Sequence, residues 1–393
     1  MSISELRKPG PEAPQAQVPK DGSQRYTEAI SEFERLGREP HGGDRKMGAF
    51  YQAAYEIASS DNSFGAFLRN ATQRDIQTSH FANLLLRGIQ YIEIFKKGRT
   101  EYGEEFLKPE AWKELLVGEN GVIPTHEDEL KSILNNRETT TTKYQRYAGI
   151  KAALNAVFPD QRLKIADFGC GANYGIPGFQ ANISFPDDIS AAMGTDLAFV
   201  TTITPLLNAP IQIDSGLSVD KNNPRGEEEG RWRLACNFYP GELTREAIEK
   251  FQDFETRIDS QPTNGLRFLQ GDILELETNH ANGTLPEHHF DAISMSTVLY
   301  QMTPDQQRTM IDTARRSLTD GGVIIIQDFA LKDTTSSTGL KCKGISSEPY
   351  GYRTFVADKD PDSPLLEFLQ FNNGRCREIK PGEDFDTVLS LAD

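Results

Sequence analysis

Apolar residues recur along this chain with two different periods, and the change between them divides the sequence into two parts. In residues 26–158 they return every three or four positions, in runs such as YQAAYEIASS, FANLLLRGIQYIEIFKK and AWKELL. That spacing places the apolar side chains on one face of a helix. Residues 24–158 are therefore predicted to form an all-helical N-terminal domain. Further helices are expected over residues 127–135 and in TKYQRYAGIKAALNAVF.

After Phe158 short apolar runs alternate with helical stretches, a pattern typical of an α/β fold with a largely parallel sheet. The runs LKIADFG, AAMGTDLA, GLRFLQGD, FDAISMS and GGVIIIQDF are predicted to be strands one to five. YGYRTFVAD and LEFLQFNNGRCREI add strand-like stretches for the far edge. Residues 159–393 are thus predicted to form a Rossmann-like sheet flanked by helices.

The spacing between strands two and three is too long for a simple crossover. It contains the polar stretch NNPRGEEEG, predicted to be a solvated loop, and then a helix from about Gly241 to Ile258. Residues 208–262 are therefore predicted to be an insertion beside the sheet. At the other end of the chain, residues 1–23 are rich in Pro, Gly, Gln and charge, so a disordered tail is predicted.

The net charge of the chain argues against two classes of binding partner. The chain of 393 residues has a formal net charge of -16 and a pI near 5.0. Binding to nucleic acid or to anionic lipid depends on clustered Lys and Arg, so neither partner is expected. The sequence has no run of about 20 apolar residues and no basic-then-apolar leader, which predicts a cytoplasmic protein without membrane spans.

Cysteine and histidine give no metal or disulfide pattern. The four cysteines are scattered and contain no CxxC pair, which argues against a zinc ribbon or a disulfide framework. His280, His288 and His289 lie close together in the polar, turn-rich stretch ETNHANGTLPEHH. A metal site needs rigid and oriented ligands, so none is predicted there.

The first strand is followed at once by a glycine loop, DFGCGANYG. Gly169 and Gly171 allow a tight turn and a close approach of the backbone to a ligand. Asn173 stands where a third glycine is common, and asparagine tolerates left-handed backbone angles. The helix that follows is predicted to be short, because two glycines and Pro177 interrupt it. Alone, such a loop is equally consistent with an ordinary turn between a strand and a helix.

Two aspartates strengthen the prediction of a ligand site. Asp196 ends the predicted second strand, and Asp272 follows the third in QGDIL. Because ligands of open α/β sheets bind at the carboxyl edge of the strands, these residues are expected to meet near the glycine loop. A carboxylate at Asp196 suits ribose hydroxyls, and Asp272 with the Ile273 N–H suits an adenine ring. Either aspartate alone is more typical of a turn or a helix cap.

Together these motifs resemble the class I S-adenosylmethionine-dependent methyltransferases over residues 163–329. The most specific part is FDAISMSTVLYQM with SLTDGG. The resemblance implies S-adenosylmethionine as cofactor, bound by residues at the ends of the first four strands. The set it implies is Asp167, Gly169 and Gly171 for the methionine part, Asp196 for the ribose, Asp272 and Ile273 for the adenine, and Ser294 and Ser296 facing the sulfonium. Cys170 and Leu197 are predicted to bind the cofactor beside them. The missing third glycine, the broken first helix and the long insertion depart from the family pattern.

A fainter resemblance covers most of the chain. RETTTTKYQR and RWRLACNFYPGE are similar to segments of a two-part methyltransferase-like family of unknown function. It implies that the helical domain and the sheet form one functional unit, with Thr141, Tyr144 and Arg146 near the cofactor. The alternative for these three residues is a solvated helix face.

The sequence therefore predicts a methyltransferase that acts on a small-molecule acceptor, with the helical part and the insertion forming the acceptor pocket. A methyl transfer needs alignment and exclusion of water, and it needs a general base only for some acceptors. Tyr300, next to Gln301 just after strand four, is predicted to orient the acceptor, although a core tyrosine is the alternative. His289 is a second candidate. Two alternatives remain: a nicotinamide-dependent oxidoreductase, disfavoured by the incomplete glycine loop, and a cofactor-binding regulatory protein without catalysis. The sequence does not predict the oligomeric state.

Overall fold

The structure is a computed structural model that describes residues 22–60, 63–71, 76, 78–139, 143–185, 190–191, 195–262, 265–275, 285–335, 341–345, 351–372, 376 and 378–392. All but the last two residues of the predicted disordered tail lie outside these ranges. Thr141 and His280 also lie outside them, so the predictions for these residues have no structural counterpart here.

The N-terminal part is helical, as its apolar period predicts. Its helices are α1 Gly22–Arg38, α2 Arg45–Ser59, α3 Ser63–Ala71, α4 Thr78–Phe95, α5 Pro109–Val117, α6 Val122–Asn136 and α7 Ala148–Val157. Asp44 caps α2 by accepting a hydrogen bond from the Met47 N–H at 2.8 Å. An aromatic cluster fills the centre, where the Trp112 ring lies 5.3 Å from Phe50 and 4.8 Å from both Tyr102 and Phe106. This burial of large rings holds the helices together.

The second part is built on a nine-stranded sheet with the order β2-β11-β10-β9-β6-β5-β1-β3-β4. Its strands are β1 Arg162–Phe168, β2 Ser190–Ala191, β3 Gln212–Asp220, β4 Leu266–Gln270, β5 Phe290–Ser296, β6 Leu318–Phe329, β9 Tyr352–Asp358, β10 Leu366–Phe371 and β11 Glu378–Pro381. β7 Leu331–Thr335 and β8 Lys341–Ile345 form a separate antiparallel ribbon. Five neighbouring strands are parallel, in the spatial order β4, β3, β1, β5 and β6. β9 runs antiparallel to both of its neighbours, β6 and β10.

Helices flank this sheet. They are α8 Gly175–Gln180, α9 Leu197–Asn208, α10 Glu227–Asn237, α11 Arg245–Asp259, α12 Pro304–Ser317 and α13 Phe385–Leu389. The helical part packs onto the sheet part, with α7 against α9, β6 and β9, and α4 against α10. The α/β class and the helical N-terminal region are thus confirmed. None of the described helices is long and apolar enough to cross a membrane.

The predicted position of the second strand is wrong. Among the described residues of AAMGTDLA, only Ala191 belongs to a strand, the two-residue β2, which pairs with β11 at the far edge of the sheet. The neighbour of β1 is β3, paired in parallel with Ala166 opposite Leu217. β3 lies inside residues 208–262, so the prediction that this stretch is an insertion beside the sheet is also wrong for its first part. The predicted polar loop NNPRGEEEG runs into α10, and the helix predicted after it is α11.

The strand order reverses at β1, which has β3 on one side and β5 on the other. In open α/β sheets ligands bind outside the carboxyl ends of the strands at this reversal. The fold therefore places any such site where β1, β3, β4 and β5 end.

Candidate functional site

A cavity of about 310 Å³ lies at the carboxyl edge of β1, β3, β4 and β5. Gly169, Gly171, Asp220, Asp272 and Ser296 line it from the sheet part. Residues 137–139, which follow α6, line it from the helical part, and residues of α10 complete the wall. The volume is in the range of cavities that hold small ligands. Both parts of the chain therefore contribute to one cavity.

The glycine loop has the backbone geometry expected from the sequence. Gly169 has a φ of +72° and Gly171 a φ of +54°. A Cβ on Gly169 would lie 2.7 Å from Val298 Cγ2, so no larger residue fits between this loop and the chain after β5. Asn173 has a φ of +53° and takes the left-handed conformation that the sequence predicts for it.

The interrupted helix after the glycine loop has a structural reason that the sequence did not show. α8 is a single short helix, with Pro177 in its first turn. A Cβ on Gly175 would lie 2.5 Å from Tyr147 Cε1, and a Cβ on Gly178 would lie 2.4 Å from Tyr144 Cε2. The two glycines therefore make room for two tyrosines of the helical part. Tyr144 is buried in this contact and does not line the cavity.

Asp167 lies beneath the cavity and does not line it. Its carboxylate is fully buried and accepts hydrogen bonds from Tyr147 Oη at 3.2 Å and Ser294 Oγ at 2.9 Å. Burial raises the pKa of Asp167 to about 7. Asp167 and Ser294, both predicted to contact the cofactor, thus bond to each other. Tyr147 Oη links Asp167 to the glycine loop, since it also lies 3.2 Å from the Cys170 carbonyl oxygen.

The structure corrects the position of Asp196. The residue is exposed and caps α9, where its Oδ1 accepts a hydrogen bond from the Ala198 N–H at 2.8 Å. The adjacent Leu197 is 77% exposed, and neither residue lines the cavity. Asp167, Asp196 and Asp272 therefore do not converge as the sequence reading required, because Asp196 does not end a strand beside β1.

Asp220 occupies the place predicted for Asp196. It ends β3, lines the cavity, and accepts hydrogen bonds from the Gly171 N–H at 2.8 Å and the Asn222 N–H at 3.1 Å. Burial raises its pKa above the ordinary value. The sequence signal was weak, since apolar and polar residues alternate only over the last four positions of QIDSGLSVD, which end at Asp220.

Asp272 and Ile273 lie where the sequence predicts, after β4, and both line the cavity. Asp272 Oδ1 accepts a hydrogen bond from the Leu274 N–H at 2.9 Å, and Oδ2 lies 4.0 Å from Lys221 Nζ. From the other side of β1, Ser296 lines the cavity with its side chain 1% exposed. Its buried Oγ has no hydrogen-bond partner in the described part of the protein, and a buried hydroxyl of this kind favours a polar ligand group.

Four other predicted residues do not reach the cavity. Tyr300 packs edge-on against Phe329 at 4.9 Å, and burial raises its pKa. The Arg146 guanidinium lies 5.5 Å over the Tyr352 ring. Cys170 is buried in the glycine loop, and burial raises the pKa of its thiol. His289 precedes β5 and so lies at the opposite edge of the sheet.

Sequence reasoning expected the helical part and residues 208–262 to face the acceptor, but it did not identify the residues of the wall that joins the two parts. Arg137 Nη2 lies 3.0 Å from Glu228 Oε1, and Arg137 also pairs with Glu229. The Trp232 indole donates a hydrogen bond from Nε1 to the Glu138 carbonyl at 2.8 Å, with the Arg137 guanidinium 5.6 Å from its ring centre. These contacts fix one side of the cavity. Among the described residues, no group of three His, Cys, Asp or Glu side chains is placed to hold a metal ion.

Comparison with known proteins gives structural matches only. No family model and no curated protein matches the chain. The fold is similar to the N-methyltransferase NodS of Bradyrhizobium japonicum WM9, solved with S-adenosyl-L-homocysteine, at 16% identity over 47% of this chain and 62% of that one, with a TM-score of 0.24. It is similar to a 1,6-didemethyltoxoflavin-N1-methyltransferase of Burkholderia thailandensis at 14% identity over 53% and 63%, with a TM-score of 0.24. An arsenic(III) S-adenosylmethionine methyltransferase of Chlamydomonas reinhardtii matches at 16% identity over 48% and 42%, with a TM-score of 0.23.

These matches cover about half of this chain and less than two thirds of each matched protein. One sheet architecture supports many chemistries, so the activity has to be argued from the cavity itself.

Proposed function

We propose that this protein is an S-adenosylmethionine-dependent methyltransferase with a small-molecule acceptor. One observation carries the proposal: a glycine loop, two strand-end aspartates and a buried serine hydroxyl surround a single cavity at the reversal of the strand order. A nucleoside cofactor needs close backbone approach, a carboxylate for its ribose and an acceptor for its base amine. Gly169, Asp220 and Asp272 supply these three groups.

The residues present fit such a cofactor. Asp220 accepts two backbone hydrogen bonds, and a carboxylate has about four acceptor positions, so it retains capacity for ribose hydroxyls. Asp272 accepts one backbone hydrogen bond and retains capacity in the same way. When bound, S-adenosylmethionine would supply a methyl group on a cationic sulfur. Carboxylates and cationic groups both line the cavity, the former from Asp220, Asp272 and Glu229 and the latter from Arg137, Lys221 and Arg233, so charge alone does not select the ligand.

The chain would act mainly by alignment and by exclusion of water. Thr139, Gln301 and Gln306 also line the cavity with hydroxyl and amide groups, and these would orient a polar acceptor. The wall that Arg137 and Trp232 form with α10 would help to exclude water. The formal net charge of -16 argues against a nucleic-acid acceptor, which favours a small molecule.

Calorimetric titration with S-adenosyl-L-homocysteine tests the cofactor, with Asp220→Asn and Asp196→Asn as a matched pair. Asp220→Asn keeps the shape and removes the charge at the cavity, so affinity is expected to fall by about tenfold to a hundredfold. Asp196→Asn keeps the helix cap, since Asn and Asp cap equally well, and affinity is expected to stay within about twofold.

Equal losses in the two variants would contradict the assignment of Asp220, and no binding to the unmodified protein would contradict the cofactor. Incubation with labelled S-adenosylmethionine and a metabolite pool then separates an enzyme from a binding protein. Transfer of label into a small product supports the proposal, whereas binding without transfer supports the regulatory alternative.

A further inference from the structure

The segment of residues 297–302 that follows β5, here called the β5 turn, forms one wall of the cavity. Thr297, Val298, Gln301 and Met302 line it. The turn packs directly on the glycine loop, since Val298 Cγ2 fills the space that a Cβ on Gly169 would need. The conformation of the β5 turn therefore sets the width of the cavity beside Gly169.

The β5 turn begins with an unfavourable backbone conformation. Thr297 has a φ of +54° and is buried, with 4% of its surface exposed. For a β-branched residue the left-handed region is strained, and such strain persists only where the surroundings impose it. Other contacts must therefore hold the turn in place.

A buried carboxylate holds the N–H groups of the turn. Asp328, near the end of β6, is fully buried and does not line the cavity. Its Oδ2 accepts hydrogen bonds from the Leu299 N–H at 2.8 Å and the Tyr300 N–H at 3.3 Å. Its Oδ1 accepts from the Phe329 N–H at 2.9 Å. Both oxygens of one side chain are thus occupied by backbone donors, two of them in the β5 turn.

A second buried side chain holds the carbonyl groups of the same turn. Gln307, in α12, is 5% exposed, and its Nε2 donates to the Leu299 carbonyl at 2.9 Å and the Met302 carbonyl at 3.2 Å. Its Oε1 accepts from the Ile345 N–H at 2.8 Å. The turn is therefore held from both sides by residues distant in sequence.

We propose that Asp328 is a positioning residue, whose carboxyl oxygens keep the strained β5 turn against the glycine loop and so shape the cofactor cavity. The effect on the cofactor rests on the proposed function, whereas the effect on the turn does not. An amide cannot replace the carboxylate, because its NH₂ group would face a backbone donor on one side.

Asp328→Asn tests the proposal through two measurements. One is the rate of amide hydrogen exchange in the β5 turn without ligand, and the other is the affinity for S-adenosyl-L-homocysteine. Amides of the turn are expected to exchange at least about tenfold faster, and affinity is expected to fall by about tenfold. Asp291→Asn is the matched control. Asp291 lies at the other end of β5 and accepts a hydrogen bond from the Lys164 N–H at 2.8 Å, so its loss is expected to leave the turn and the affinity unchanged.

Thr297→Gly in the Asp328→Asn background separates positioning from general loss of stability. Glycine adopts a φ of +54° without strain, so the double variant is expected to recover most of the lost affinity, which a purely structural role of Asp328 would not predict. Failure of this rescue, or unchanged exchange in Asp328→Asn, would overturn the proposal.

Two further outcomes distinguish a failure of the proposed function from a failure of the proposal about Asp328. If Asp328→Asn does not fold, Thr297→Gly alone decides. Slower exchange of the turn supports the proposal that Asp328 holds Thr297 in a strained conformation, and faster exchange contradicts it. If the unmodified protein does not bind S-adenosyl-L-homocysteine, the proposed function fails, and the exchange measurement still decides whether Asp328 holds the turn.

Discussion

The two edges of the parallel strands carry the same residue type in opposite environments. At the carboxyl edge Asp167 and Asp328 have no exposed surface, and burial raises the pKa of each to about 7. At the amino edge Asp214 is 52% exposed and lies 3.8 Å from Arg162. One edge therefore places charge in the interior, where it costs free energy, and the other leaves it in water.

This difference shows that the buried aspartates at the carboxyl edge lower the stability of the fold, whereas the exposed aspartate at the amino edge does not. Each buried carboxylate at the carboxyl edge bonds to groups that shape the glycine loop or the β5 turn. Functional sites commonly retain such unfavourable features, because the surrounding structure compensates for them. We therefore expect changes at the carboxyl edge to have large effects and changes at the amino edge to have small ones.

The largest effect is expected from Gly175→Ala at the carboxyl edge. The new Cβ would lie 2.5 Å from Tyr147 Cε1 and 2.8 Å from Asp167 Oδ2, so the tyrosine has to move away from the carboxylate. We expect a loss of about 3 kcal/mol in the free energy of unfolding, measured with urea.

The matched control for this change is Gly230→Ala. Gly230 is in α10, with the nearest atom to a new Cβ at 3.6 Å, so up to about 1 kcal/mol of stabilisation is expected from helix propensity. A cost below about 0.5 kcal/mol for Gly175→Ala would show that α8 and Tyr147 are not closely packed.

An intermediate effect is expected from Asp167→Asn, and it depends on pH. The pKa of folded Asp167 is raised to about 7, so its contribution to stability is full below pH 4 and is lost as the pH rises through 7. The asparagine variant lacks this titration. Relative to the variant, the unmodified protein is therefore expected to lose about 2 kcal/mol between pH 5 and pH 8.

Urea unfolding of both proteins across this pH range measures that difference. A constant gap between the two proteins would mean that the Asp167 carboxyl titrates normally despite its burial.

The smallest effect is expected from Asp214→Asn at the amino edge. Exposed ion pairs contribute about 0–1 kcal/mol, and the Arg162 partner is itself 67% exposed. The midpoint of thermal unfolding is expected to shift by less than about 2 °C, and less in high salt. A shift as large as that of Gly175→Ala would remove the contrast between the two edges.

Much of the fold was predictable from periodicity, and the failure at β3 has a physical cause. β1, β5 and β6 lie in the middle of the sheet and are buried over most of their length, and each contains enough apolar residues to be recognised as a strand. β3 is next to the edge strand β4, and its first four residues are exposed or half-buried. Its buried end includes Gly216 and Ser218, so no apolar run marks it.

The candidate site was predictable where a motif follows a strand and not where it depends on contacts distant in sequence. Gly169, Gly171, Asp272 and Ser296 line the cavity as predicted. Asp196 was misplaced together with its strand. Asp328 follows the apolar run of β6 just as Asp272 follows β4, so the same rule could have selected it. Its bonds to Leu299 and Tyr300 required the folded chain.

The position of Trp232 gives the protein a built-in optical reporter. The chain has two tryptophans, Trp112 in the helical core and Trp232 in the wall of the cavity. Since the Trp232 indole is hydrogen-bonded to the chain just after α6, its emission would follow any change in that wall when a ligand enters. With Trp112 replaced by phenylalanine, that signal would come from one indole alone, and occupancy of the cavity could be followed in real time without a label.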